Sequence, residues 1–142
     1  MGSIDFFEED IEFTLKNPRK TKRWIAEVIS QEEKKLHHLN YIFCSDAYLL
    51  RLNEQYLKHR TLTDIITFDH GGSNEIVEGD IFISIERVKA NALDLGIPIE
   101  WELHRVIIHG VLHLMGHRDK TPSEKATMRK KEDACLSLRN LK

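Results

Sequence analysis

Short runs of β-branched and aromatic residues alternate along this chain with stretches whose apolar residues recur every three to four positions. A period of two marks a strand and a period near 3.6 marks a helix. Strands are expected at residues 4–7, 39–44, 64–68 and 80–83. Asn17-Pro18 reads as a helix cap with proline at the first helical position, opening a helix to about Lys35 with Trp24, Ile25, Val28 and Ile29 on its apolar face. Ser45 can cap a second helix carrying Tyr48, Leu49, Leu52, Tyr56 and Leu57, and Ser84 a third that ends before Gly96. Pro98 opens a long helix to Met115, stopped at Gly116. Thr121-Pro122-Ser123-Glu124 is a capping box that starts a last helix. Residues 69–78 read as a loop between strands. Four short strands mixed with five helices indicate a layered fold of the α/β or α+β class.

At 142 residues the chain suits one domain, 1–142. A chain of this length buries roughly 68–70% of its unfolded surface, so it needs no disulfide or stapling metal. A metal in it would be functional rather than structural. No apolar run approaches the roughly 18–20 residues of a membrane span. Residues 1–12 hold five acidic groups and no Lys or Arg, unlike a signal peptide. Cys44 and Cys135 lie far apart, form no CxxC and read as small buried hydrophobes, which suits a cytoplasmic protein. Net charge is −2, from 21 basic and 23 acidic residues, so nucleic acid cannot be held by bulk positive charge. Local basic faces remain: Arg19, Lys20, Lys22 and Arg23; Lys58 and Arg60; and Lys125, Arg129, Lys130 and Lys131. The plain interpretation of each is a solvated helix face.

Four of the eight histidines fall between residues 104 and 117. His109 and His113 are i and i+4 on the expected long helix, with Cβ atoms about 5–6 Å apart. That spacing lets two imidazoles reach one metal. If the helix continued, His117 would sit about 12 Å along the axis from His109, too far to share the ion. A glycine turn at Gly116 instead brings Asp119 back as third ligand, with His117 as a wall residue. A buried histidine pair satisfied by backbone is the structural alternative. The zincin protease motif places a glutamate base after its first histidine, and Gly110 stands there, which argues against peptide hydrolysis. Three protein ligands and an open position still acidify water near neutral pH, and a cation offsets charge developing on phosphate oxygens. Phosphodiester hydrolysis suits such a site.

At these residues the sequence resembles the YbeY family of bacterial metal-dependent endoribonucleases. The family motif His-Gly-x-Leu-His-Leu-x-Gly-[Tyr/His]-x-His stands here as residues 109–119, with Asp119 at the last position. A second family segment is similar to residues 53–68, where Asn53, Tyr56, Thr63, Asp64 and Phe68 match. A third, Gly-Asp-Ile-x-Ile-Ser, matches residues 79–84. The resemblance implies a mixed four-stranded sheet flanked by about five helices, a zinc-type site and a groove lined by the second segment. It also implies cleavage of single-stranded ribosomal RNA, including the 3′ end of small-subunit 16S rRNA, with ribosome maturation, quality control and ribosomal partners. Two departures fall in the second segment: the family arginine after Tyr56 is Leu57, and the family aspartate three residues on is Arg60.

The expected site therefore has His109, His113 and Asp119 holding one divalent metal, zinc by family, with manganese or magnesium made competitive by the Asp119 carboxylate. Arg60 and His117 are the catalytic candidates. Lys58, His59, Thr63, Asp64 and Arg118 are the substrate-binding candidates, Lys58 and Arg60 for phosphate and His59 or His117 for proton movement. Thr63 and Asp64 could equally be capping groups at a strand start. Two other functions stay open: a ribosome-associated RNA-binding protein whose metal site is structural or vestigial, and a hydrolase of a small phosphoester.

Overall fold

The computed structural model describes residues 2–57 and 63–141. Their order is β1 (Ser3–Glu9), α1 (Pro18–Gln31), β2 (Lys35–Cys44), α2 (Asp46–Leu57), β3 (Ile65–Asp69), β4 (Ile76–Ser84), α3 (Ile85–Leu95), α4 (Ile99–Leu114) and α5 (Pro122–Arg139). The strands form one sheet in the order β1-β2-β4-β3. β1, β2 and β4 run parallel, and β3 pairs antiparallel with β4. The molecule is a single α+β domain with a mixed four-stranded sheet and five helices.

Strand alternation divides the sheet's side chains between two layers. Leu39, Tyr41 and Phe43 of β2 and Val77, Ile81 and Ile83 of β4 point into the main core. There they meet Trp24, Ile25, Val28 and Ile29 of α1, Val88 of α3, Met128 and Leu136 of α5, and much of α4. Cys44 and Ile66, on the opposite face, pack with Leu49 of α2. Each fully buried aliphatic side chain contributes about 1.5–3 kcal/mol by leaving water. α4 is the central element: Leu103, Val106, Ile107, Ile108, Val111, Leu112 and Leu114 are all buried. Two polar ties fix its neighbours. Tyr41 Oη donates to Ile107 O at 2.9 Å, and Trp24 Nε1 donates to Cys135 O at 2.8 Å.

The cap signals act as their chemistry requires at most helix starts. Ser45 Oγ accepts from Tyr48 N, and Ser84 Oγ from Arg87 N. Thr121 and Glu124 form the reciprocal capping box. Asn17 differs: it sits at φ 51°, and its side chain makes no cap bond. Asn tolerates this left-handed conformation, so here it turns the chain rather than capping it. The strands are longer than their β-branched centres. β4 starts at Ile76, inside the expected loop, because Lys35 pairs with Ile76 and draws both strands outward. For the same reason α1 stops at Gln31 rather than near Lys35. Cys44 is buried as expected, whereas Cys135 is only partly covered. No helix among the described residues is long and apolar enough to cross a membrane.

Candidate metal centre

The last two turns of α4 hold His109 and His113 with ring centroids 4.6 Å apart. The helix then closes with paired bonds, Gly116 N to His113 O at 2.9 Å and His117 N to Leu112 O at 3.0 Å. This C-terminal motif needs a left-handed residue, and Gly116 supplies φ 97°. A second constraint acts on the same glycine, since a Cβ there would lie 2.6 Å from Asn74 Nδ2 in the β3–β4 connection. The reversed chain brings Asp119 back over the helix end. Its Oδ2 lies 3.3 Å from His109 Nε2, and its Oδ1 lies 3.3 Å from His113 Nε2. One ligand atom from each of the three residues falls within 4.8 Å of the others.

Behind His109 stands a carboxylate the sequence pattern did not reveal. Glu132 of α5 is buried and accepts from His109 Nδ1 at 2.5 Å. Arg105 bridges it, donating to Glu132 Oε1 at 3.2 Å and to Glu102 Oε2 at 2.5 Å. Burial pushes the Glu132 carboxyl up, but the His109 hydrogen bond and the charges of His109 and Arg105 outweigh it and hold it below its ordinary value. Glu132 is therefore ionised at neutral pH and must receive a proton from Nδ1. Nδ1 therefore carries a proton, and the neutral form of His109 has its Nε2 lone pair toward Asp119. A carboxylate behind a ligating histidine orients the ring and raises its basicity. The available signal was position: Glu132 lies on the stripe Met128–Glu132–Leu136, where the flanking residues are buried apolar ones.

Among these residues the donor set fits a divalent cation. When His109 is neutral, its Nε2 lone pair faces the oxygens of Asp119 across 3.3 Å. Two acceptors facing each other at that distance repel, and a shared cation relieves the repulsion. Burial, then the neighbouring His109, hold His113 below the ordinary histidine value against the pull of Asp119. His113 is thereby kept in the neutral form that ligates metals.

Gly110, at the place of the zincin glutamate, has a packing reason. A Cβ there would lie 3.0 Å from Ile65 Cδ1 and from Ile81 Cδ1 and Cγ2. The position points into the sheet, away from the histidine pair.

The remaining described candidates have partners of their own. His117 Nε2 pairs with Glu32 Oε1 at 2.7 Å, and Lys131 stands 3.9 Å from Glu32 Oε2. His117 is outside the three-residue ligand group. Arg118 lines a hollow of about 300 Å³ with His117, Ser123, Glu124 and Lys131. Thr63 Oγ1 donates to Ile65 O at 3.3 Å, the capping alternative at a strand start. Asp64 O accepts from Ser84 N. Burial raises the Asp64 carboxyl against the charges of Arg105 and His109. Lys58, His59 and Arg60 lie outside the described residues.

With this geometry in place, the kinship of the chain is clear. A family model described as Endoribonuclease YbeY matches residues 3–140. A Cytophaga hutchinsonii protein named Endoribonuclease YbeY is 50% identical over 137 residues, covering 96% of each chain. A Flavobacterium psychrophilum protein of the same name is 48% identical over 136 residues, again covering 96% of each. The solution structure of TM1509 from Thermotoga maritima superposes with a TM-score of 0.66 at 25% identity, covering 96% of this chain and 91% of that one. The chain belongs to the YbeY endoribonuclease family.

Proposed function

We propose that this protein, as one domain over residues 1–142, is a cytoplasmic, metal-dependent endoribonuclease that cuts single-stranded ribosomal RNA, including the 3′ end of small-subunit rRNA, during ribosome maturation. One observation carries the proposal: His109, His113 and Asp119 present three acceptors to one point, with Glu132 fixing the first histidine's tautomer. A divalent cation held there supplies Lewis acidity toward a phosphodiester oxygen and acidifies water. Zinc suits the two imidazoles, and the Asp119 carboxylate makes manganese or magnesium competitive.

The chain's own groups supply the rest. Glu132 and Arg105 hold His109 in place, so the centre is preorganised rather than assembled on binding. Lys58, Arg60 and Arg118 are the cations for the substrate's phosphates, and Thr63 and Asp64 are the further substrate-binding candidates. His59 and His117 are the proton carriers, with His117 Nε2 standing 2.7 Å from Glu32 Oε1. A complete donor triad with a buried supporting carboxylate favours catalysis over a vestigial site in a ribosome-associated RNA-binding protein.

The test is cleavage of a single-stranded 16S rRNA 3′ fragment by purified protein, with and without chelator, beside His113→Ala. Cleavage should need divalent metal and fail in the variant. Cleavage that survives both would remove the triad from the chemistry. Ribosome binding that persists while no cleavage is ever seen would favour the binding protein.

A further inference from the structure

The basic cluster before and within the first turn of α1 is not used by the metal centre. It lies at the opposite end of α4. Glu100, near the start of α4, and His113, at its end, are separated by about 20 Å at 1.5 Å per residue. There a hollow of about 240 Å³ is lined by Lys16, Asn17, Lys20, Glu100, Arg139 and Asn140.

Arg139 is the unusual member. It is 7% exposed, and it makes no ion pair among the described residues. Its Nη2 donates to Thr21 Oγ1 at 3.2 Å, while its Nε is buried without a hydrogen-bond partner. Glu100 acts on it across the hollow without a contact ion pair, and a buried guanidinium with no carboxylate bound to it is costly, so it calls for a closer counter-anion. The start of α1 points to the same ligand. Its first turn carries no acidic residue, and Asn17 gives no side-chain cap, leaving the positive helix end open. Lys16 and Lys20 are both exposed at the rim. The lining sums to three positive groups against one carboxylate, Glu100, whose Oε2 stands 3.8 Å from His104 Nδ1. Such a set suits a compact tetrahedral oxyanion.

We infer that the hollow between the start of α1 and Arg139 is a second anion site, built for one phosphate group. A free phosphate and a phosphate of an RNA backbone share this chemistry. The second source rests on the endoribonuclease proposal and would make the hollow an anchor for the strand remote from the cutting centre.

The experiment follows the Arg139 Nε–Hε signal and the Lys20 amide of the full chain by NMR as sodium phosphate is added, with sodium chloride at equal ionic strength as control. Both signals should shift and saturate with phosphate and not with chloride. The Lys16→Gln/Lys20→Gln variant changes only exposed residues and should weaken phosphate binding at least tenfold with unchanged thermal unfolding. Single-stranded RNA binding by the metal-loaded protein is then measured against salt for both forms. A shallower salt slope in the variant, by about 0.7 for one lost phosphate contact, identifies RNA as the occupant. An unchanged slope with phosphate binding lost identifies free phosphate. Signals that do not move, or that move equally with chloride or in the variant, overturn the site. Phosphate binding in a protein that cuts no RNA would sink the nuclease proposal and leave this site standing; cleavage without any phosphate response would do the reverse.

Discussion

The two ends of α4 put the same residue type to opposite uses. Near the start, His104 is fully buried: its Nδ1 donates to Glu100 O at 2.7 Å, and its Nε2 faces Thr21 Oγ1 at 3.3 Å. Near the end, His109 also donates from Nδ1, to Glu132, but its Nε2 faces Asp119 and the solvent side. The first nitrogen is treated alike in both, and what Nε2 meets decides the role. A hydroxyl donor quenches the lone pair of His104, whereas an acceptor leaves that of His109 available to a cation. Burial pushes His104 down to about 4. A histidine count along the helix cannot make this distinction, because it depends on α1 and α5.

The strongest break of this comparison is at Asp119. Asp119→Ala should lower metal affinity more than ~100-fold, since an actual ligand is lost and even an outer partner costs 10–100-fold. RNA cleavage should fall to background while thermal unfolding of the metal-free protein hardly changes. Metal titration with retained affinity would take Asp119 out of the site.

The next effect belongs to His104. Below pH 6.5 the unfolded chain takes up a proton that the folded form refuses until about pH 4. Stability should therefore fall as pH drops through that window, by up to about 3 kcal/mol at 1.36 kcal/mol per pH unit. Urea unfolding at pH 7 and pH 4 reads this term. It should shrink in His104→Gln, whose metal affinity at pH 7 should match the parent. A slope that is unchanged in the variant would assign the acid lability to other groups.

Glu132→Gln sharpens the contrast from the other end. Its amide no longer compels a proton onto His109 Nδ1, so metal affinity should drop roughly 10–100-fold. A variant that binds metal as tightly as the parent would reduce Glu132 to a partner of Arg105 alone. The smallest effect on metal affinity is expected at Gly110→Ala, where a Cβ at 3.0 Å from Ile65 and Ile81 should cost about 1–3 kcal/mol of stability by overpacking. Metal affinity should persist if the helix shifts only slightly, which a joint unfolding and titration measurement would show.

Much of the fold was legible because its signals are local. Ser84, Gly96, Pro98, Gly116 and the Thr121–Glu124 box each act through backbone groups within a few residues, and they set the helices where spacing places them. The grouping of His109, His113 and Asp119 was legible for the same reason, since helix pitch and one glycine turn bring 109, 113 and 119 together. The strand ends were not, because Lys35 and Ile76 become strand only by pairing across 41 positions, with a register shift between Leu36 and His38. Glu132 stayed hidden because a periodic pattern assigns charge to solvent. Its burial depends on Arg105 and His109 of another helix. The conformation of Asn17 was hidden too: the same residue type caps helices and tolerates left-handed turns, and the incoming chain, anchored by buried Leu15, selects the second use.

The pairing of His109 with Glu132 also orders events during translation. Chains are made from the N-terminus, so the histidine pair and Asp119 are synthesised before the carboxylate that aims His109. The carbonyl of Cys135, which receives the Trp24 indole, comes later still. A nascent or truncated chain lacking α5 holds the histidine pair and Asp119 without the carboxylate that orients His109, and a core open along one side. Orientation of His109 thus waits on the synthesis of α5, which follows the histidine pair and Asp119 in the chain.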